Sequence, residues 1–180
     1  MFKNFSEYFG LSVKELNPIN EPYEAFLTEF GGMQFGQGLF NAFNNSNVGK
    51  WNTIVKEAFP EFKGMVKLFG YDWLGRCFGV ENDTDKETVL MFEIGTNDIL
   101  EIPTRFSDFL NEEIPQYGEA CLAINFYNEW LLNNEAVKYE RCISYKVPLF
   151  MGGEDVINNL EDSDMEVYWY ILTRVKQNIV

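Results

Sequence analysis

The sequence predicts an α+β fold, a central antiparallel sheet flanked by helices, and three observations lead there. Between Met65 and Ile102, four short runs rich in aromatic and β-branched residues are separated by turn chemistry, as in hairpin-connected strands. On either side of them apolar residues recur at helical spacing instead. With 180 residues, 46% hydrophobic and 17% aromatic, the chain carries enough apolar surface for a substantial core. We therefore expect a single domain over residues 1–180, with a soft division into a helix-rich front (1–60) and the sheet with a C-terminal module (61–180).

A helix near Phe2–Phe9 ends at Gly10. A second follows Asn20, with Pro22 in its first turn, Tyr23, Phe26, Leu27 and Phe30 at helical spacing, and Gly31-Gly32 as its stop. Leu39–Phe43, after a glycine-rich stretch, alternates as a half-buried strand, and Asn44-Asn45-Ser46-Asn47 reads as a turn. Val48, Trp51, Ile54, Val55 and Ala58 mark a helix face closed by Phe59-Pro60, because the residue before proline avoids helical geometry. The strands are Met65–Tyr71, Arg76–Val80, Thr88–Ile94 and Ile99–Ile102, joined through Asp72–Gly75, the acidic loop Glu81–Glu87 and Gly95–Asp98.

Phe106, Phe109 and Leu110 suggest a short helix, and Ala123, Phe126, Tyr127, Trp130 and Leu131 form a face of a longer one ending at Asn133-Asn134. Arg141–Phe150 has the two-residue period of an edge or connecting strand. Ser163-Asp164-Met165-Glu166 has the S-x-x-E form of a capping box, opening a terminal helix with Val167, Tyr170, Ile171 and Val175 on one face; its branched and aromatic residues also suit a strand.

Composition excludes several chemistries. The absence of histidine removes Ser-His-Asp and Cys-His nucleophile arrangements and the usual transition-metal ligand. Cys77, Cys121 and Cys142 are widely spaced and odd in number, so no closed disulfide framework or CxxC motif can be written; a reducing cytoplasm is expected. The first residues lack the order of a secretory signal, and no run reaches the ~18 apolar residues of a membrane span. With 14 Lys plus Arg against 28 Asp plus Glu, the net charge of −14 opposes binding to nucleic-acid phosphates or anionic membranes. A basic protein is the electrostatic complement, and solubility alone is the plainer use of the charge.

The glycine cluster Gly31–Gly38 lacks the lysine of a phosphate loop and the third glycine of a dinucleotide fingerprint, so no cofactor is expected. The acidic loop Glu81–Glu87 does not spell a calcium loop, and no metal site is assigned. Glu81–Glu87 reads as a solvated hairpin tip. Glu154, Asp155, Glu161, Asp162 and Asp164 suit a basic protein or a hard cation, or simply cap a helix, whose N-terminus favours negative charge. Asp72, Trp73 and Arg76 join two strands and combine an aromatic with opposite charges, as either a buried ion pair under a turn or a recognition surface. The cysteines have no basic neighbours in sequence to activate them and read as small buried hydrophobes.

Two segments carry a family resemblance. Gly36-Gln37-Gly38-Leu39-Phe40 through Trp51, with Phe69–Arg76, resembles the GAD-related module of bacterial immunity proteins in type VI secretion and other polymorphic-toxin systems. Tyr145–Asp155, with Asn159-Leu160-Glu161 and Asp164–Trp169, is similar to the C-terminal domain of the type VI DNase-immunity family. The resemblance covers much of residues 33–80 and 140–175 and implies a cytoplasmic, non-enzymatic bacterial protein that binds and neutralises a cognate toxin. On this reading Asp72, Trp73, Arg76, Glu154, Asp155, Glu161, Asp162 and Asp164 are the candidate contact residues. A small-ligand or regulatory module, taking glycans or nucleotides, and a carboxylate-only hydrolase are the alternatives.

Overall fold

Strand alternation sends successive side chains to opposite faces, and here it divides the side chains of one sheet between two cores. The computed structural model describes residues 1–13, 21–81 and 88–179, so the tip of the acidic loop at 82–87 lies outside the described residues. Strands β1 (Gln34–Phe35), β2 (Phe40–Ala42), β3 (Val66–Asp72), β4 (Cys77–Glu81), β5 (Val89–Glu93) and β6 (Asp98–Ile102) form an antiparallel meander in chain order. Phe69, Phe78, Val89 and Met91 enter one core, while Leu68, Tyr71, Cys77, Leu90 and Phe92 enter the other.

Helices cover both faces. On the first lie α1 (Lys3–Tyr8), α2 (Pro22–Phe30) and a helical run formed by α4 (Phe106–Asp108), a π turn at Phe109–Glu113, α5 (Ile114–Leu122) and α6 (Ile124–Leu131). On the second lie α3 (Val48–Ala58) and α7 (Met165–Ile179). A separate antiparallel ribbon pairs β7 (Arg141–Tyr145) with β8 (Leu160–Asp164). The architecture is α+β, as the sequence predicts. Because both faces are covered, Leu39–Phe43 is buried throughout and does not show the expected half-buried alternation.

Local chemistry sets the boundaries. Pro22 opens α2 in its first turn, where a missing N–H costs nothing. The Asn44 side chain accepts the Ser46 and Asn47 amides at 2.9 and 3.1 Å, building the turn before α3. At the far end of α3, Lys176 Nζ donates to the Ala58 carbonyl at 2.7 Å and so fastens α7 across it. The front helices are held by aromatic packing: the Phe5 ring meets Phe35, Phe30 and Phe26 edge-on at 4.9, 5.6 and 5.9 Å.

The helix expected from Ala123 onward forms as α6, and a break at Ala123 separates it from α5, which the sequence reading did not mark. Ala123 takes a left-handed conformation (φ 50°), and the Glu119 carboxylate accepts the Asn125 amide at 2.8 Å, replacing a helical acceptor. In a continuous helix the Cys121 and Leu122 carbonyls would take the amides four residues on. Here they serve the β3–β4 turn instead: Arg76 Nη2 donates to Cys121 O at 3.1 Å and Trp73 Nε1 to Leu122 O at 2.8 Å.

That turn ties several elements together. Asp72 accepts the Leu74 and Arg76 amides at 3.1 and 3.0 Å on one carboxylate oxygen and Arg76 Nε at 2.6 Å on the other. Gly75 has φ 76°, and a Cβ there would lie 3.0 Å from Cys142 Cβ, so glycine answers both the conformation and the close approach of β7. Trp73 N–H donates to Leu39 O at 3.1 Å, Ile143 N–H to Trp73 O at 2.7 Å, and Trp169 Nε1 to Gly75 O at 2.9 Å. Asp72 and Trp73 are fully buried and Arg76 is 8% exposed, so these three residues present almost no surface to a partner. Of the two readings open in sequence, they adopt the buried ion pair.

Burial raises the Asp72 carboxyl above its ordinary range, against the pull of Arg76 and of the two amides. Burial alone would lower the guanidinium of Arg76, but the Asp72 carboxylate carries it above its ordinary value. Removing one partner strands the other in the core. We expect Arg76→Ala to lower unfolding free energy by about 3–5 kcal/mol in urea titration, whereas Lys3→Ala, which breaks only an exposed pair with Glu7, should change it by less than about 0.5 kcal/mol.

Candidate functional site

The surface around α7 brings exposed apolar side chains, Val167, Tyr170 and Ile171, near exposed acids of β8. Strand β8 ends at Asp164, whose Oδ1 accepts the Val167 amide at 3.0 Å and so caps α7. The cap falls one residue later than the S-x-x-E pattern suggests. Ser163 stays in the ribbon, its Oγ 2.6 Å from Ser144 Oγ.

From this start α7 carries two apolar stripes at helical spacing. Met165, Tyr168, Trp169 and Leu172 are buried against the second core. The stripe Val167, Tyr170 and Ile171 is turned outward, with exposures of 53, 60 and 50%, and Val175 beside it is partly buried. The face that the sequence marks is thus the outer face of the helix. Arg174 continues it, its guanidinium 5.2 Å from the Tyr170 ring centroid and bonded to Gln177 Oε1 at 3.0 Å.

Two open grooves flank this ridge. One, of about 430 Å³, lies between α3 and α7 and is lined by Ile54, Glu57, Asp164, Val167, Tyr170 and Thr173 among others. The other, of about 490 Å³, lies between α7 and the ribbon and includes Val147, Met151, Glu161, Val167 and Ile171.

The five acids proposed from sequence in this region are all exposed, but they do not form one cluster. Glu161 and Asp164 line the grooves beside α7. Asp162, one residue along the strand from Glu161, points to the opposite face of the ribbon and pairs with Arg141 Nε at 2.8 Å. Glu154 and Asp155 sit on the loop after β7, which Asn159 fastens by donating to the Val147 and Glu154 carbonyls at 2.9 and 2.8 Å. Asp155 also accepts the Tyr145 hydroxyl at 2.8 Å, so it has a structural duty.

One carboxylate escaped the sequence reading. Glu93, at the end of β5, has its pKa pushed up to about 7, first by burial, with Asp72, Asp155 and Asp98 adding to the rise and Arg76 opposing it. It lines neither groove beside α7. A lone acid closing the apolar run Val89–Phe92 was the available signal. Burial likewise pushes the Cys77 and Cys142 thiols well up, which disfavours thiolate chemistry there. Among the described residues no group of three or more Cys, Asp or Glu is placed to hold a metal ion, and no helix is long and apolar enough to cross a membrane.

Residues 104–176 match the family model described as T6SS immunity protein Tdi1, C-terminal. The matched stretch holds the ribbon, most of α7 and all five exposed acids, and supports a relation to type VI secretion immunity proteins. It starts beyond the main sheet, so residues 33–80, and with them the resemblance to a GAD-related module, lie outside it. Among solved structures the chain is similar to one described as the crystal structure of Atu4351 from Agrobacterium tumefaciens. The two share 18% sequence identity at a TM-score of 0.67, over 97% of this chain and 89% of that one, a likeness of fold. No curated protein sequence matches.

Glu93 makes stability depend on pH. With a folded pKa of about 7 against 4.5 when unperturbed, the native state binds the extra proton between those values, so stability falls as pH rises through that window and levels off above it. Glu93→Gln removes the effect. Its unfolding free energy should exceed that of the wild type by an amount that grows from pH 4.5 to pH 8, reaching about 3 kcal/mol.

Proposed function

We propose that this chain is a non-enzymatic immunity protein of a type VI or related secretion system, which binds a cognate toxin in the cytoplasm and neutralises it. The observation that carries this reading is the family match over residues 104–176, because the matched stretch contains the ribbon, its acids and most of α7. Net charge adds the partner's chemistry. A chain at −14 attracts a basic protein, and nucleases are basic because they must hold phosphates, so a nuclease is the toxin activity that suits it.

Capture then proceeds in two physical stages. The summed negative field draws the toxin in and orients it, raising the encounter rate. Short-range contacts then hold it, with carboxylates of the 154–164 segment taking positions that substrate phosphates would occupy. Glu154 and Glu161 are exposed and suited to this, while Asp162 and Asp164 add to the field from their places beside Arg141 and at the start of α7. Asp155 contributes to the same field while tying its loop to Tyr145.

The test uses the product of the adjacent open reading frame, co-expressed with this protein. A stoichiometric complex that abolishes the toxicity of that product supports the proposal; free toxin in the presence of folded partner refutes it. In stopped-flow association, Glu154→Lys with Glu161→Lys should slow binding by about tenfold or more at low salt and lose most of that effect in high salt. The melting temperature should stay within about two degrees of wild type, because both side chains are exposed.

A further inference from the structure

A surface helix of a globular protein normally carries one apolar stripe and a polar opposite face, whereas a helix apolar on both sides is normally covered on both. Helix α7 is apolar on both sides and covered on one. Its 15 residues hold the buried series Met165, Tyr168, Trp169 and Leu172, and the exposed series Val167, Tyr170, Ile171 and Arg174 has the same spacing. The exposed series is the set of positions a packed helix uses as anchors. It includes a tyrosine and an arginine already arranged against each other, the residue types that most often dominate binding energy.

The surroundings define what fits. The groove between α3 and α7 runs along the ridge with Ile54 on its far wall, which is the slot a third helix needs to pack against two others. Glu57 and Asp164 edge this groove and Glu161 edges the groove on the other side. Of the positive groups nearby, Lys50 is held by Glu166 at 2.6 Å, Lys146 donates to the Asn158 carbonyl at 3.0 Å, and Arg174 lies along the ridge itself. A second copy of this chain would bring another −14 to the same place, which like-charge repulsion opposes.

We propose that the outer face of α7, centred on Tyr170 and Ile171, is the anchor of the toxin interface. Its occupant is a helix of the basic toxin, laid along the α3–α7 groove, with an apolar stripe flanked by Lys and Arg. This deepens the immunity reading and rests on it. The acids govern how fast the toxin arrives, and the α7 ridge governs how long it stays.

The experiment measures binding kinetics of the adjacent open reading frame's product to wild type, to Tyr170→Ala with Ile171→Ala, and to Met65→Ala as an exposed apolar control elsewhere. Expected is a rise in Kd of about 100-fold or more for the double variant, residing in the dissociation rate, with the control within about twofold of wild type. Val167→Lys should give a comparable loss and guards against a folding defect in the double variant; melting temperatures of all variants are read alongside. If wild type binds and both α7 variants bind within about twofold of it, the α7 proposal is overturned and the immunity reading stands. If wild type itself does not bind, the immunity reading fails and takes this proposal with it. A wild-type dimer in sedimentation that dissociates in the double variant assigns the face to a second copy, and also overturns the proposal.

Discussion

The Asp72–Arg76 ion pair is the constraint from which the rest of the structure is hung. A carboxylate and a guanidinium out of water are costly, and their mutual attraction offsets that cost only when the remaining donors and acceptors are satisfied. Here satisfaction comes from other elements. Arg76 needs the Cys121 carbonyl, which is free only because the helical run breaks at Ala123, and Asp72 needs the turn amides, whose geometry needs glycine at position 75. The same turn then receives β2 through Leu39, β7 through Ile143 and α7 through Trp169. Sheet, helical layer and C-terminal elements are therefore oriented by one buried polar junction.

Much of this arrangement was legible in the sequence where one periodicity governs one element. Helices α2 and α3 and strands β3 to β6 are written plainly, because each has a single buried pattern and conventional punctuation such as Pro22, Gly31 or Phe59-Pro60. The failures share a physical cause, namely dependence on partners distant in the chain. The helix begins at Ala123 as expected, but nothing in the sequence announces α5 before it or the left-handed junction between the two, whose freed carbonyls are taken by Trp73 and Arg76. Strand β8 has almost no apolar alternation, and Glu161-Asp162-Ser163-Asp164 becomes a strand because β7 pairs with it, which also moves the helix cap to Asp164. Arg141–Phe150 stops being a strand at Tyr145 for the complementary reason, since β8 is only five residues long.

The candidate site divides along the same line. The exposed acids were visible as composition, but the distribution of Glu161 and Asp162 to opposite faces of the ribbon needed the register. Asp72, Trp73 and Arg76 carry the residue types of a recognition surface and are interior. On α7 both stripes are apolar, so hydrophobicity alone could not decide which one turns inward. The decision is made by bulk and hydrogen bonding: Trp169 fills the core and reaches the Gly75 carbonyl, and Tyr170 is left outside.

The strictly sequential order of the meander has a bearing on how the chain is made. Each hairpin from β3 to β6 can close on a short local loop as soon as its second strand leaves the ribosome, which favours early and rapid pairing. The ribbon and α7 cannot be positioned until the Trp73 and Gly75 carbonyls are in place to receive Ile143 and Trp169. The outer surface of α7 is thus the last part of the molecule to acquire its shape. On this order the scaffold is complete first, so the exposed apolar stripe of α7 is displayed on a molecule whose sheet is already closed.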